Sequence, residues 1–353
     1  MVSESRNNFI SIAKAIGIIL MVTGHSGCPI LLSRFLYLFH MPLFFVCSGY
    51  FFKEITNYLS LKTFYNKKFL GLYLTYFKWS FGFLLLHNIF VGLKLIPCHL
   101  YDFKDLIIQF LKMTFMTDFE LLIRPFWFVK ELFVALLLVA LLSVLKNRYA
   151  NRVSNIVLTF FMLFLTFLCK YASIIVPLIG DVSILTFSIT YVYLGIIFRE
   201  HESSISFSSR ITLLSLIITL FGSLFFIGEI DMRYTKISNL IPYFFFSITG
   251  IHMIFSISKF ICRLSHPLNI LYYIGNNTMP ILALNLLALK IANLIKIVIY
   301  NMPINALASH TIIFEHNEYF WVLNILLGVA IPLICNTIFN KVKFLIKNIE
   351  YYW

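Results

Sequence analysis

The stretch from Phe9 to Ser26, FISIAKAIGIILMVTGHS, is apolar and long enough to cross a lipid bilayer as one helix. Further apolar runs follow it, separated by charged breaks or by breaks that contain Pro and Gly. The spans predicted in this way are 9–26, 35–52, 69–96, 126–145, 153–170, 183–198, 211–228, 240–261, 272–295 and 319–340. They predict an all-α integral membrane protein with about ten transmembrane helices, which forms a single membrane-embedded domain over residues 1–353.

The composition of the chain is that of a membrane protein rather than a soluble one. Of the 353 residues, 60% are hydrophobic and 12% are charged, and the mean hydropathy is +0.89. Soluble domains carry about 25% charged residues, so much of this surface is expected to face the lipid bilayer. The net charge of +13 does not indicate nucleic acid as a partner, because the basic residues are scattered between the apolar runs and no nucleic-acid-binding motif is present.

The distribution of the basic residues predicts the orientation of the chain. Ten spans place both termini on one side, and the segments on that side carry more Lys and Arg than the opposite segments, to which Lys290 and Lys296 are assigned. Basic residues concentrate in cytoplasmic loops. Both termini are therefore predicted to be cytoplasmic in a multi-pass plasma-membrane protein. No cleavage site follows the first span, which is interpreted as a retained helix rather than a signal peptide.

Ionisable side chains at membrane depth are costly unless they face protein or water, so each of them is a functional candidate. Lys14 and His25 lie eleven residues apart in the first span, a separation that turns through about 1100° and rises roughly 16 Å, so both project from one helix face. A cation near the cytoplasmic end suits an anionic ligand, and an imidazole deeper in the helix suits proton transfer. Alternatively, Lys14 extends to the interface as an anchor and His25 only marks the outer end of the helix.

A carboxylate lies one turn into the span 126–145. Buried at this depth, Glu131 must either pair with a cation or take up a proton. Its neighbour Lys130 points about 100° away around the helix. A partner from another helix is therefore predicted, with Lys78, His25 and His40 as candidates.

Three further features of the spans have both a functional and a structural interpretation. His40 lies two residues before Pro42, which leaves a backbone carbonyl without its helical donor. This carbonyl helps to line a cavity, or the segment is a kinked packing helix with a hydrogen-bonded His. The small residues Ser48 and Gly49 indicate close helix packing. Trp127 opens a span, where Trp is enriched at membrane interfaces whatever the function.

Several kinds of chemistry are disfavoured by the motifs that the sequence lacks. No H-E-x-x-H pattern and no His, Cys and Asp cluster at metal-ligand spacing occurs, so no metal is predicted. No G-x-S-x-G elbow and no P-loop occurs either, which disfavours a serine nucleophile and the use of ATP.

Four sequence blocks resemble the membrane-bound acyltransferase 3 family, and they occur in the family's order. The first helix carries Lys14, ten residues and then His25, which is similar to the family's opening signature of Arg or Lys, ten residues and His. The other blocks are Phe39–Tyr50, Pro125–Leu132 and Gly275–Leu284, which resemble the second helix, a Trp-Phe segment and a Gly-x-Asn-Ser/Thr helix. Together with the ten predicted spans, the resemblance extends over nearly the whole chain.

The resemblance implies an enzyme of the bacterial inner membrane that moves an acyl group, usually acetyl, from cytoplasmic acyl-CoA to a hydroxyl of a surface polysaccharide or lipid-linked glycan. Lys14 would bind a phosphate of CoA, and His25 would act as the general base or first accept the acyl group itself. Glu131 is a second catalytic candidate, because it would orient His25 or complete a polar cavity. His40, Trp127 and Asn285 are candidates for the lining of the substrate cavity.

Two departures from the family pattern keep alternatives open. Ser11 stands where many relatives carry an Asp three residues before the basic residue, and Asn285 stands where a His often follows the Gly-x-Asn block. An acyltransferase-like protein that has lost its activity is therefore one alternative. A glycan flippase or transporter is another, although the lack of an internal repeat and the concentration of charged sites on one helix face favour the enzyme. The oligomeric state stays open.

Overall fold

The computed structural model describes residues 2–225, 231–264, 269–309 and 311–350, and of residues 2–7, 309 and 347–350 it describes the backbone alone. In these ranges the chain is helical and contains no strand. The α-helices are α1 (Val2–Gly24), α2 (Ile30–Tyr37), α3 (His40–Tyr50), α4 (Tyr58–Lys68), α5 (Leu74–Gly92), α6 (Phe103–Thr114), α7 (Trp127–Tyr149), α8 (Asn155–Ala172), α9 (Ile179–Glu200), α10 (Ser209–Phe225), α11 (Leu240–Cys262), α12 (Asn269–Asn276), α13 (Thr278–Tyr300), α14 (Ala306–Ser309) and α15 (Phe320–Glu350). A π-helical turn, Phe69–Tyr73, joins α4 to α5, and short 3-10 turns occur at Leu121–Phe126, Glu202–Ser204 and Ile237–Asn239.

Helices of membrane-crossing length dominate the described part of the chain, which confirms the prediction of an all-α membrane protein. Eight helical segments there are long and apolar enough to cross a bilayer, and two apolar helices, Asn8–Gly24 and Ser209–Phe225, are shorter. These ten segments overlap the ten predicted spans, although the end of span 211–228 lies outside the described residues. The structure thus supports eight full-length spans, and the cytoplasmic location of both termini stays a prediction.

The chain forms two compact units, and α1 contributes to both. The first unit comprises Met1–Gly17, Pro29–Tyr76 and Trp127–Tyr272, and the second comprises Ile18–Cys28, Phe77–Phe126 and Tyr273–Trp353. Because the division falls between Gly17 and Ile18, the two ends of α1 belong to different packing environments.

Within the first unit, α9 packs against α3, α7 and α8. The crossing of α3 and α9 is held by two facing glycines, since a Cβ added to Gly49 would collide with the Val192 carbonyl and one added to Gly195 would collide with the Val46 carbonyl. The predicted close packing is thereby confirmed at Gly49, whereas the Ser48 hydroxyl donates to the Phe44 carbonyl of its own helix. On the outside of this unit, α8 exposes large apolar side chains such as Phe160 and Phe164, as a lipid-facing helix does.

We expect the Gly195→Ala variant to destabilise the first unit, because its new methyl group would overlap a backbone carbonyl that a helix cannot easily move. Overpacking of this kind costs about 1–3 kcal/mol. The measurement is the thermal unfolding midpoint of the purified protein in detergent. Gly82→Ala is the matched control, because a Cβ at Gly82 meets nothing within 4 Å. Equal midpoints for both variants and the wild type would contradict this account of the crossing.

The predicted span 35–52 is broken into two helices, α2 and α3, with Leu38 and Phe39 between them. Pro42 falls in the first turn of α3, where the missing N–H had no helical partner in any case. At the break, the Leu36 carbonyl accepts from the Phe39 amide at 3.2 Å, and the His40 Nδ1–H also donates to it, at 2.8 Å. The interpretation of His40 as a hydrogen-bonded residue of a packing helix therefore has direct support.

Within the second unit, α13 packs against α15 and against the 3-10 turn Leu121–Phe126. The C-terminal half of α1 also packs here, and Gly328 of α15 allows it to do so, since an added Cβ would lie 2.7 Å from Val22. The helix α13 continues to Tyr300, beyond the predicted end at 295. Lys290 and Lys296, which were predicted in segments on the outer side, therefore lie buried on this helix, and the side of the membrane on which they lie stays a prediction.

Buried lysines on α13 are stabilised by the loop that follows this helix. The Lys290 ammonium donates to the Leu307 carbonyl at 2.6 Å, and the Lys296 ammonium donates to the Ile313 carbonyl at 2.7 Å. Between the two lysines, Asn293 donates to the Thr311 carbonyl at 2.8 Å. These contacts satisfy side chains that would otherwise be costly in an apolar interior, and they fix the loop against α13.

Candidate active site

The helix α1 carries both residues of the opening signature. It contains Lys14 and ends at Gly24, and the His25 amide still donates to the Met21 and Val22 carbonyls at 3.2 and 3.1 Å. The helical path along which Lys14 and His25 share one face is therefore continuous to the residue that bears the imidazole.

The Lys14 side chain is half-buried in the first unit. One turn further along α1, a Cβ at Gly17 would lie 3.0 Å from Leu43 and 3.2 Å from the Phe44 ring, so α1 and α3 approach closely there. Cys47 of α3, a buried free thiol, lies near Lys14. Among the described residues of this unit, no carboxylate lies within 4 Å of the Lys14 ammonium. A half-buried ammonium that has no carboxylate partner in its unit suits an anionic group such as a phosphate.

The His25 side chain is half-buried in the second unit, directly after the last residue of α1. The described residues of that unit form no hydrogen bond with its ring. Within this unit, therefore, nothing described occupies the ring nitrogens that a general base or a nucleophile would use.

Glu131 is 6% exposed on α7 and forms an ion pair with Lys130, whose ammonium lies 3.7 Å from its carboxylate. The prediction of a partner from another helix is wrong in this respect. The long Lys130 side chain bends back far enough to offset the angle between the two positions. The charges of Asp181 and Arg233 also act on Glu131 electrostatically, so its surroundings within the first unit are polar.

Trp127 opens α7 one turn before Glu131 and is half-buried. The Arg233 guanidinium lies over the Trp127 ring, 5.8 Å from its centre, which is a cation–π contact. Arg233 was not among the residues predicted from the sequence to be functional. A local signal existed in the neighbouring Asp231, whose carboxylate accepts from the Arg233 amide at 2.9 Å and shapes the turn.

The remaining candidates for the cavity lining are buried in packed surroundings. His40 is 3% exposed and donates to Leu36, as described above, and its ring also packs edge-on against Tyr37. Asn285 is fully buried on α13, where its amide donates to the Ile281 and Leu282 carbonyls of its own helix. Its Oδ1 atom has no hydrogen-bond partner among the described residues and can still accept a hydrogen bond.

The candidates divide between the two units. The first unit holds Lys14, His40, Trp127 and Glu131, and the second holds His25 and Asn285. Within the first unit, Trp127 and Glu131 share one end of α7. In the part of the chain that is described, no group of three His, Cys, Asp or Glu side chains is arranged to hold a metal ion.

The described helices define a multi-pass membrane protein whose first helix carries a half-buried cation, Lys14, and is followed directly by a half-buried imidazole, His25. Residues 7–334 match the acyltransferase domain of the acyltransferase 3 family. The chain therefore belongs to this family, a class of membrane acyltransferases. No curated protein and no solved structure matches the chain.

Proposed function

We propose that this protein transfers an acyl group, in the simplest case acetyl, from cytoplasmic acyl-CoA to a hydroxyl of a surface polysaccharide or lipid-linked glycan in the plasma membrane. The observation that carries the proposal is α1, which presents Lys14 within the helix and His25 at its end, in a chain of the acyltransferase 3 family. Lipid, acyl-CoA and glycan are the partners, and neither nucleic acid nor a metal is required.

Lys14 binds the donor in this proposal. Its half-buried ammonium without a nearby carboxylate in its unit suits a phosphate of CoA, since phosphate oxygens accept strong charge-assisted hydrogen bonds from ammonium groups. Ser11, one turn earlier, cannot supply a competing negative charge.

His25 carries out the chemistry in this proposal. As a general base it takes the proton of the acceptor hydroxyl while the oxygen bonds to the acyl carbon, the thioester C–S bond breaks and the proton is passed to the CoA sulfur. As a nucleophile it takes the acyl group first and then passes it to the hydroxyl. Either route converts acyl-CoA and an alcohol into an ester and free CoA.

The acceptor side of the reaction is assigned to Trp127 and Glu131. An aromatic face next to a buried carboxylate and a guanidinium suits a sugar, whose C–H face packs on an aromatic ring while its hydroxyls form hydrogen bonds. Asn285 keeps an accepting oxygen for a hydroxyl but cannot transfer protons. His40 is left with a packing role, because its Nδ1–H is already bound to Leu36.

Deleting the gene distinguishes an acyltransferase from a flippase or transporter. We expect the surface glycan of the deletion strain to reach the cell surface in normal amount but to lose its acyl esters, and a plasmid-borne wild-type copy to restore them. The measurement is the ester content per sugar repeat, by mass spectrometry of isolated glycan. Loss of the whole glycan would indicate a flippase or transporter, and unchanged esters would indicate an inactive family member.

A further inference from the structure

The turn that follows α1 is unusually well held within the second unit. Beyond His25, the Ser26 amide and hydroxyl both donate to the Thr23 carbonyl, at 3.0 and 2.7 Å. The carbonyls at a helix C-terminus have no helical donor of their own. Here the Ser26 carbonyl accepts from Asn324 Nδ2 at 2.9 Å, and the Gly27 carbonyl accepts from Asn317 Nδ2 at 2.8 Å. The carboxamides of Asn324 and Asn317 therefore bind the carbonyls of the two residues that directly follow His25.

The orientation of the Asn317 amide is set by a buried cation. The Lys296 ammonium, which is fully buried, donates to Asn317 Oδ1 at 2.8 Å as well as to the Ile313 carbonyl. An ammonium is only a donor, so the amide oxygen must face it and the amide nitrogen must face Gly27. Because the contact is buried, it is electrostatically stronger than the same contact in water. Lys296 thus acts on the turn through Asn317.

Gly27 shows that the fit between the turn and Asn317 is tight. Its φ angle of +74° is one that residues with a side chain rarely adopt. An added Cβ would also lie 2.6 Å from Asn317 Nδ2 and 3.0 Å from Ile312. Both the backbone conformation and the space around it therefore require glycine, and the turn has one geometry available to it.

We propose that Asn317 and Asn324 are positioning residues for His25, with Lys296 fixing the orientation of Asn317. The proposal rests on the proposed catalytic role of His25. The described residues of the second unit form no hydrogen bond with the His25 ring, so the side-chain hydrogen bonds that hold this part of the chain within the unit are those to the backbone of its turn. A displacement of a reacting group by about 1 Å can cost about 100-fold in rate. The two carboxamides therefore act on the reaction rate through His25, without touching the substrate.

The test replaces each amide nitrogen of the pair by oxygen. Asn317→Asp and Asn324→Asp keep the size of the side chain but lose the donor to the turn. We expect each variant to lower kcat about 10- to 100-fold while KM for acetyl-CoA stays within about two-fold, since the geometry of His25 changes and Lys14 is untouched. The assay uses purified full-length protein in detergent, acetyl-CoA, and glycan extracted from the deletion strain.

A matched control comes from the same helix as Asn324. Asn336 of α15 donates to Asn277 Oδ1 at 2.9 Å and lies twelve residues beyond Asn324, a rise of about 18 Å. The Asn336→Asp variant should therefore keep the wild-type kcat. If a buried carboxylate prevents folding at position 317, Asn317→Ser serves instead, because its short hydroxyl can no longer reach Gly27 and brings no charge.

The outcomes separate this inference from the proposed function. If His25→Ala is inactive while folded Asn317 and Asn324 variants keep the wild-type kcat, the positioning role is wrong and the catalytic role of His25 stands. If His25→Ala keeps its activity, the proposed function itself is wrong. A fall in kcat as large in Asn336→Asp as in the other variants would mean that the effect is a general loss of structure, and this would overturn the positioning role.

Discussion

Replacing His25 by alanine is expected to abolish acyl-ester formation in cells that depend on this protein. Its ring is the proton acceptor or the acyl acceptor of the proposed reaction, and a positioned general base alone contributes about 10²- to 10⁴-fold to a rate. The variant should be made in normal amount, because His25 lies in a turn that is held by backbone contacts and by Asn317 and Asn324 rather than by its own ring. The measurement is the ester content of the glycan in the complemented deletion strain.

His252 supplies the control for this prediction. It is a half-buried histidine of α11 whose ring is already occupied, since Nε2 donates to the Ser206 carbonyl and Nδ1 accepts from the Ser215 hydroxyl, both at 2.9 Å. A ring held in this way is not available to a substrate. The His252→Gln variant should therefore retain its esters, whereas a His25→Ala strain with wild-type ester content would remove the basis for the proposed chemistry.

Replacing Lys14 by glutamine is expected to cause the second large loss, a loss of acetyl-CoA binding. The proposed role needs a positive charge for a phosphate, and hydrogen bonds to charged groups contribute about 1.5–3 kcal/mol, or about 10- to 100-fold in binding. Lys14→Gln should therefore raise KM for acetyl-CoA by that factor. Lys14→Arg keeps the charge and should retain much more activity.

The comparison of the two Lys14 variants decides the role of the charge. If Arg and Gln cause equal losses, the shape of the lysine side chain matters and its charge does not, and the binding of CoA phosphate by Lys14 is wrong. Lys78 of α5 is the control lysine, because it also lies in an apolar helix but is exposed on its surface. Lys78→Gln should leave KM for acetyl-CoA unchanged.

The helices of this protein were predictable because a bilayer requires long apolar runs, and each predicted span overlaps a helix of the structure. The break between α2 and α3 was not predictable in the same way. At the break the Leu36 carbonyl accepts from both the Phe39 amide and the His40 ring, and a hydropathy pattern does not contain these contacts. Gly49 was predictable as a packing position, but its partner Gly195 was identified only by the crossing of α3 and α9.

The end of α13 carries two lysines that are not exposed to water. Lysines normally mark the water-exposed end of a span. Here Lys290 and Lys296 are 2% and 0% exposed, because the carbonyls of the following loop satisfy their ammonium groups. This stabilisation comes from tertiary structure and has no local signal.

The candidate site was only partly predictable, because some of its contacts come from tertiary structure. Helical periodicity places Lys14 and His25 on one face, and that reasoning uses one helix alone. Asn317 and Asn324 contact the turn after His25 from 290 and 298 residues away in the sequence, so no spacing rule identifies them. Glu131 was recognised as a buried carboxylate, but its partner is the adjacent Lys130 and not a distant helix.

The central claim is that this protein moves an acyl group from acyl-CoA to a glycan hydroxyl by means of His25. The most direct measurement follows labelled acetyl groups from acetyl-CoA into glycan, using membranes of the deletion strain that carry either the wild-type protein or the His25→Ala variant. We predict alkali-labile label in the glycan with the wild type and none above the background of the deletion strain with the variant. Equal labelling with both proteins, or no labelling with the wild type, would contradict the claim.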